Sequence, residues 1–477
     1  MFRLLILVHR YLGIAIGLIV ALWCLSGFVM MYVQYPDVTE REYLASLPAI
    51  DTSDCCVVNH EVLEQLDGID AFTIEMLAGQ PALRARFGRD VSLLVNLDSG
   101  WWYPSIDQEA ALMQTDAYIA ATGIRGESRF LAQINRDQWT VAGYFDVYRP
   151  LYLMSTGDEA GTRLYVSSVT GQVVQVTTSS ERFWNWLGAV IHWIYPTALR
   201  QNVAVWSQVV IWLSIASLFL VIVGIYLGIQ QFRFRGPGSR SPYRGLNLWH
   251  HYAGLLFGLV TVTWLFSGLL SMNPWGAFEG DAGSAERSRL AGGAVSAAEL
   301  TDLVATLDAT GLPAGTVRLR SSLIAGDLAL IAEDREGNAT RLETSELEPE
   351  PLAPAVWKRL PSLIRPAAPL AKAEFIRAGD AYYFDHHEKV SFPVYRLIFD
   401  DAEQTRYYLD ATSGEIRQKI DSDRRWNRWL FHGLHRGDFT ALMRQRPIWD
   451  LIMLPLMLGV TVAAVTGVWM AYRRITK

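Results

Sequence analysis

Four stretches of this chain are apolar for longer than any soluble core requires, and they constrain everything else about its fold. They run over residues 4–32, 203–230, 246–272 and 448–472. A bilayer core of about 30 Å needs roughly 20 helical residues, so each stretch is long enough to cross. The first is too long for a signal peptide, and no A-x-A-like cleavage site follows it. The rest of the composition agrees, at 51% hydrophobic and 19% charged over 477 residues. A net charge of −6 gives no reason to expect a nucleic-acid partner. Three cysteines cannot build a disulfide framework, and adjacent Cys55 and Cys56 are expected as two ordinary thiols.

The basic residues orient the spans. Arg3 and Arg10 flank the start of the first span. Arg233, Arg235, Arg240 and Arg244 lie in the short loop between spans two and three, and Arg473, Arg474 and Lys477 follow the fourth. All three clusters fall on one side, expected to be cytoplasmic, with both termini. The chain then divides as 1–34, a transmembrane helix; 35–182, an outer domain; 183–232, an interfacial segment and second transmembrane helix; 233–245, a cytoplasmic loop; 246–272, a third transmembrane helix; 273–423, a second outer domain; and 424–477, an interfacial segment and fourth transmembrane helix. A bacterial inner membrane with lipid around four helices and two large periplasmic domains is the setting this predicts.

The two halves resemble each other. LVHRYLGIAIGLIVALWCLSG from Leu7 matches LWHHYAGLLFGLVTVTWLFSG from Leu248, so that His9, Trp23, Ser26 and Gly27 correspond to His250, Trp264, Ser267 and Gly268. PLYLMSTGDEAGTRLYVSSVTGQVV from Pro150 aligns without gaps to PVYRLIFDDAEQTRYYLDATSGEIR from Pro393. WLGAVIH from Trp186 aligns with WLFHGLH from Trp429, pairing His192 with His435, and Gly224 pairs with Gly467. Matching spans run the same way, which predicts a tandem parallel repeat about an axis along the membrane normal. Each outer domain reads as α+β. Asn59 and Ser296 are expected helix N-caps, the second with Glu299 as a capping box. Strands are expected at 92–97, 163–167, 328–333 and 406–409, with turns at Gly171, Gly337-Asn338 and Gly414. Residues 276–295, rich in Gly, Ala and Ser, read as a linker.

The text RLYVSSVTGQVV and RYYLDATSGEIR resembles the end of the PepSY domain. The whole order of LH-(R/H)-x-x-G helix, PepSY-like domain, WLxxxxH segment and helix, repeated once, is similar to the PepSY-associated transmembrane helix family. That resemblance covers nearly the whole chain. It implies a membrane fold with two PepSY-like domains. Because the family includes inner-membrane ferrisiderophore reductases carrying b-type haem, it also implies iron reduction as an activity to test.

The histidines are where such chemistry would sit, since ionisable residues in membrane spans are costly and usually functional. His9 and His250 each stand above glycines at i+4 and i+8, namely Gly13 and Gly17, and Gly254 and Gly258, on one helix face. A histidine above two turns without side chains offers an axial ligand and a flat wall for a porphyrin, and two such helices suit bis-histidine ligation of one iron. The same glycines would also let membrane helices pack closely. His251 points roughly 100° away from His250 and is the lesser candidate. His192 and His435, flanked by Trp184, Trp186, Trp426 and Trp429, form a second candidate pair on the outer side, where they could instead simply contact headgroups; His432 lies on the same face as His435 if that segment is helical. His60, His386 and His387 have no counterpart in the other half and read as surface residues, although His386-His387 beside Asp385 and Glu388 could bind a metal.

Two haem b groups near opposite faces would make an electron path outward. No GxGxxG loop exists and the cytoplasmic loop is too short for a flavin or nicotinamide domain, so the donor would be membrane quinol or a separate cytoplasmic reductase. The acceptor would be a ferric-siderophore or another ferric chelate. The competing readings are a membrane-anchored protein that binds peptides or regulates a protease, and a siderophore-uptake permease. None of the four spans carries a charge at its centre, which weighs against ion-coupled transport.

Overall fold

The computed structural model describes residues 2–53, 55–88, 91–103, 105–234, 240–276, 280, 282–384 and 390–476. The chain forms two compact units. One comprises Met1–Tyr35, Ser180–Gly280 and Ser422–Lys477; the other comprises Pro36–Ser179 and Asp281–Asp421.

The first unit holds four helices long and apolar enough to cross a membrane, at Phe2–Met30, Val203–Gln231, Leu246–Ser271 and Ile448–Ile475. The sequence expectation is met within a few residues at every end. The first and third helices each pack against both the second and the fourth. Small residues make those approaches possible, because lipid tails offer no hydrophobic push between helices. A Cβ on Gly258 would stand 2.7 Å from the side chain of Ile225, and one on Gly459 would run into the Phe257 ring. Ahead of the second helix the chain makes short helices at Ser179–Leu187, Ala189–His192 and Thr197–Arg200. Ahead of the fourth it makes Ser422–Asn427, a π-turn at Arg428–Gly433 and Leu434–Arg436. There Asp438, fully buried, receives Arg428 at 3.1 Å and Arg444 at 2.5 Å.

The second unit is α+β. The order helix, three-strand meander, helix, four-strand meander occurs in 36–179 and again in 281–421. The helix over Ala297–Thr310 shows why: Ser296 and Glu299 form the expected capping box, and Leu300, Leu303, Val304 and Leu307 line one buried face. Asn59 caps the counterpart His60–Gln65 through Glu61 N. The two four-stranded sheets run Arg129–Ile134, Leu151–Ser155, Arg163–Ser167, Val173–Thr177, and Leu370–Ile376, Val394–Phe399, Arg406–Asp410, Ile416–Ile420. The tight returns before their last strands use Gly171 at φ +69° and Gly414 at φ +79°, where a side chain would be strained.

The two segments are joined as one body. Strand Ala71–Leu77 pairs antiparallel with Arg318–Ile324, so that two three-strand meanders become a single six-stranded sheet. The core beneath is shared: Val62, Leu66, Ile69 and Phe72 pack in one cluster with Val295, Leu300, Leu303 and Leu319. The expected linker over 276–295 contains regular structure among its described residues. Ser284–Ala291 is a helix that buries Glu286 and Leu290, and Val295 bridges to Ile69. Glu286 escapes a desolvation penalty through Lys419 Nζ and the Tyr407 hydroxyl, both at 2.9 Å. Such long-range partners are invisible to local composition. Cys55 and Cys56 are joined as a disulfide in this core, where two thiols were expected.

Candidate functional site

Four histidines of the membrane unit come together as two facing pairs. His9 and His250 lie with ring centroids 6.3 Å apart, and His192 and His435 with centroids 6.2 Å apart. These are the pairs the sequence matched across its halves.

Each ring is fixed in the same way. His9 Nδ1 lies 3.1 Å from the Leu220 carbonyl oxygen, and His250 Nδ1 lies 2.9 Å from that of Ala463. His192 Nδ1 lies 3.2 Å from the Trp23 carbonyl oxygen, and His435 Nδ1 lies 3.2 Å from that of Trp264. A carbonyl oxygen only accepts, so Nδ1 is the protonated donor in all four rings. Every Nε2 is therefore left with its lone pair, and none of the four has a hydrogen-bond partner among the described residues. Donation from one ring nitrogen to a backbone carbonyl, with the other nitrogen unprotonated, is the arrangement of a metal-ligating histidine.

The spacing agrees with that chemistry. In both pairs the two rings stand close enough to be reached by one bound group. No group of three or more His, Cys, Asp and Glu side chains suited to a metal ion occurs among the described residues. Two neutral imidazoles facing each other with open Nε2 atoms are a donor set that would fit a haem. At the outer pair, which lies outside the spanning helices, burial pushes His192 down to about 4. Burial, with His192 as the next contribution, pushes His435 down to about 3. Both rings are then neutral at physiological pH, as ligation requires.

Glycines make room for the inner rings. A Cβ on Gly224 of the second membrane helix would stand 2.6 Å from His9 Cε1, and one on Gly467 of the fourth would stand 3.2 Å from His250 Cε1. At the outer pair the rings do not need the glycines: a Cβ on Gly27 or Gly268 would meet His192 or His435 at an ordinary 3.9 Å or 3.6 Å, and the close approach at Gly27 is instead to Met457, at 2.7 Å. Sequence reasoning matched Gly224 with Gly467, and Ser26-Gly27 with Ser267-Gly268, without giving them a part in the site. Their recurrence at matched positions was the available signal.

The cradle glycines divide. Around Gly254 a Cβ would meet nothing within 4 Å. Gly13 faces Leu220 and Gly17 faces Val468, each at an ordinary 3.9 Å. Gly258 is accounted for by its close approach to Ile225. His251 has both ring nitrogens engaged, Nδ1 with the Ser241 hydroxyl at 2.7 Å and Nε2 with the Gly228 carbonyl at 2.9 Å. It ties the inter-helix loop to the second membrane helix. His432 lies in the π-turn, with its ring 5.4 Å from Phe431, which in turn stacks on His435 at 5.2 Å. His60 is exposed beside Glu64. His386 and His387 lie outside the described residues.

The two pairs lie far apart along the bundle. His9 and Trp23, whose carbonyl holds His192, are separated by 14 positions on one helix, which is about 21 Å at 1.5 Å per residue. Comparison with curated proteins returns no match. The model for the PepSY-associated TM region matches residues 6–474, nearly the whole length, and the chain belongs to that family.

Proposed function

We propose that this protein is a haem-carrying reductase of the bacterial inner membrane that passes electrons outward to a periplasmic ferric-siderophore or other ferric chelate, releasing Fe(II). The observation that carries the reading is the shared geometry of the four histidines, two facing pairs with every Nδ1 on a carbonyl and every Nε2 open. Haem b, bound at each pair, would supply one-electron redox chemistry near each end of the bundle. His9 and His250 would hold the inner group, with Gly254 leaving it space; His192 and His435 would hold the outer one.

A tandem duplication accounts for the regularity. His9, Trp23 and Ser26 are each 241 positions before His250, Trp264 and Ser267, while His192, Leu220 and Gly224 are each 243 before His435, Ala463 and Gly467. One helix–domain–helix unit doubled in parallel would generate both pairs at once. The basic clusters favour cytoplasmic termini and a cytoplasmic 233–245 loop, with the α+β unit in the periplasm. The electron donor would be quinol or a cytoplasmic reductase. Iron held as Fe(III) by hard oxygen ligands loses affinity on reduction, because Fe(II) is the poorer Lewis acid.

The test is a reduced-minus-oxidised absorption spectrum of purified protein, followed by iron reduction in proteoliposomes with a trapped reductant and an external ferric chelate. His192→Ala and His435→Ala should each lose one of two haems and stop external reduction, while the remaining haem stays reducible. A wild-type protein without a haem band would end the reading.

A further inference from the structure

Three of the four rings have a hydroxyl beside the carbonyl, and at the outer pair both do. At the outer pair a serine hydroxyl completes each anchor. Ser26 Oγ donates to the Trp23 carbonyl at 3.1 Å and lies 3.2 Å from His192 Nδ1. Ser267 Oγ donates to the Trp264 carbonyl at 3.0 Å and lies 3.0 Å from His435 Nδ1. At the inner pair His9 has its carbonyl alone. Beside His250, Thr466 Oγ1 stands at 3.3 Å and bonds the Val462 carbonyl at 2.6 Å and the anchoring Ala463 carbonyl at 3.1 Å.

We infer that Ser26 and Ser267 are positioning residues that lock His192 and His435 in the tautomer whose Nε2 carries the lone pair. Each hydroxyl hydrogen is already committed to a carbonyl, so the oxygen presents only lone pairs to the ring. Nδ1–H then meets two acceptors at once, and a donating hydroxyl is the stronger acceptor for being polarised. The flip to Nε2–H would set the Nδ1 lone pair against the carbonyl oxygen and make the hydroxyl give up its bond to that carbonyl to donate to the ring. Where the rings ligate iron, which rests on the reading above, a better-held Nδ1–H makes the imidazole more electron-rich and favours Fe(III). The outer iron is thereby kept a strong enough reductant for a tightly chelated ferric ion.

The tautomer is measured first, in haem-free full-length protein carrying ¹⁵N-labelled histidine. His192 and His435 should appear as Nδ1–H in the wild type. Ser26→Ala should raise the Nε2–H to Nδ1–H ratio at His192 roughly fivefold, the effect of losing one ordinary hydrogen bond, and Ser267→Ala should do the same at His435. Ser26→Thr, which keeps the hydroxyl, should restore the wild-type ratio. In haem-loaded protein, potentiometric titration of the alanine variants should move one of two midpoints upward and leave the other. Unchanged tautomer ratios in both alanine variants would overturn the inference, as would a midpoint that stays put or falls in a variant that still binds haem. A wild-type protein that binds no haem, with the ratios moving as stated, would end the reductase reading and leave the tautomer lock standing.

Discussion

Gly224→Ala is the most informative single change, because two opposing effects are sized by the structure. In an unobstructed helix interior, glycine to alanine stabilises by about 1 kcal/mol. At position 224 the new Cβ would stand 2.6 Å from His9 Cε1. The His9 ring must therefore back away by roughly 0.8 Å to reach an ordinary carbon–carbon contact of about 3.4 Å. Overpacking of this kind costs about 1–3 kcal/mol, more than the helix gains. Ligand distances at a metal site tolerate about 0.2 Å, so the displacement is several times what ligation allows. The matched change Gly467→Ala needs only about 0.2 Å at His250, starting from 3.2 Å. Two substitutions at corresponding positions should thus differ sharply. Gly224→Ala should lose most of one haem equivalent per chain and shift the midpoint of what remains; Gly467→Ala should stay near the wild type. The assay is haem per chain from the pyridine haemochromogen spectrum, with the thermal midpoint measured in the same detergent. Equal haem loss in the two variants, or full retention in Gly224→Ala, would refute the reasoning.

Three further outcomes follow from the same geometry. His251→Ala should keep the full haem spectrum while freeing the loop from the Gly228 carbonyl and Ser241, seen as faster proteolysis between residues 232 and 245; loss of a haem band would make His251 a ligand. Asp438→Asn should destabilise the protein, because this buried carboxylate accepts from both Arg428 and Arg444; a thermal midpoint within a degree of the wild type would contradict this. A cysteine introduced at position 238 should resist a membrane-impermeant maleimide in intact spheroplasts and react after lysis, and labelling before lysis would reverse the orientation.

The membrane helices were legible because length and apolarity alone define them, and the histidine pairs because the two halves carry the same letters. The expected capping box at Ser296 and the strand–turn–strand ends at Gly171 and Gly414 were readable for a similar reason, each being a local pattern with its own backbone chemistry. What stayed hidden depends on partners distant in sequence. Nothing near Ser284 announces a helix whose Glu286 is satisfied by Lys419 and Tyr407. The shared sheet rests on a strand pairing that local periodicity cannot reveal. The anchors of the histidines were missed because four of them are backbone carbonyls, at Leu220, Ala463, Trp23 and Trp264. A carbonyl's role leaves no trace in residue type; only the adjacent Ser26 and Ser267 hydroxyls could have been guessed from their repetition.

The six-stranded sheet has a consequence for how the chain is made. Phe72, beside the open edge of the first meander, waits for Ser321, which lies 249 positions later. At about 5–20 residues per second of synthesis, that interval is roughly 12–50 s. Throughout it the strand Ala71–Leu77 offers unpaired backbone groups and an uncovered apolar face to whatever is nearby. The first segment therefore emerges from the ribosome as half of a fold, and two membrane helices must be threaded before its complement arrives. A chain stopped between the halves would be left with that edge unpaired.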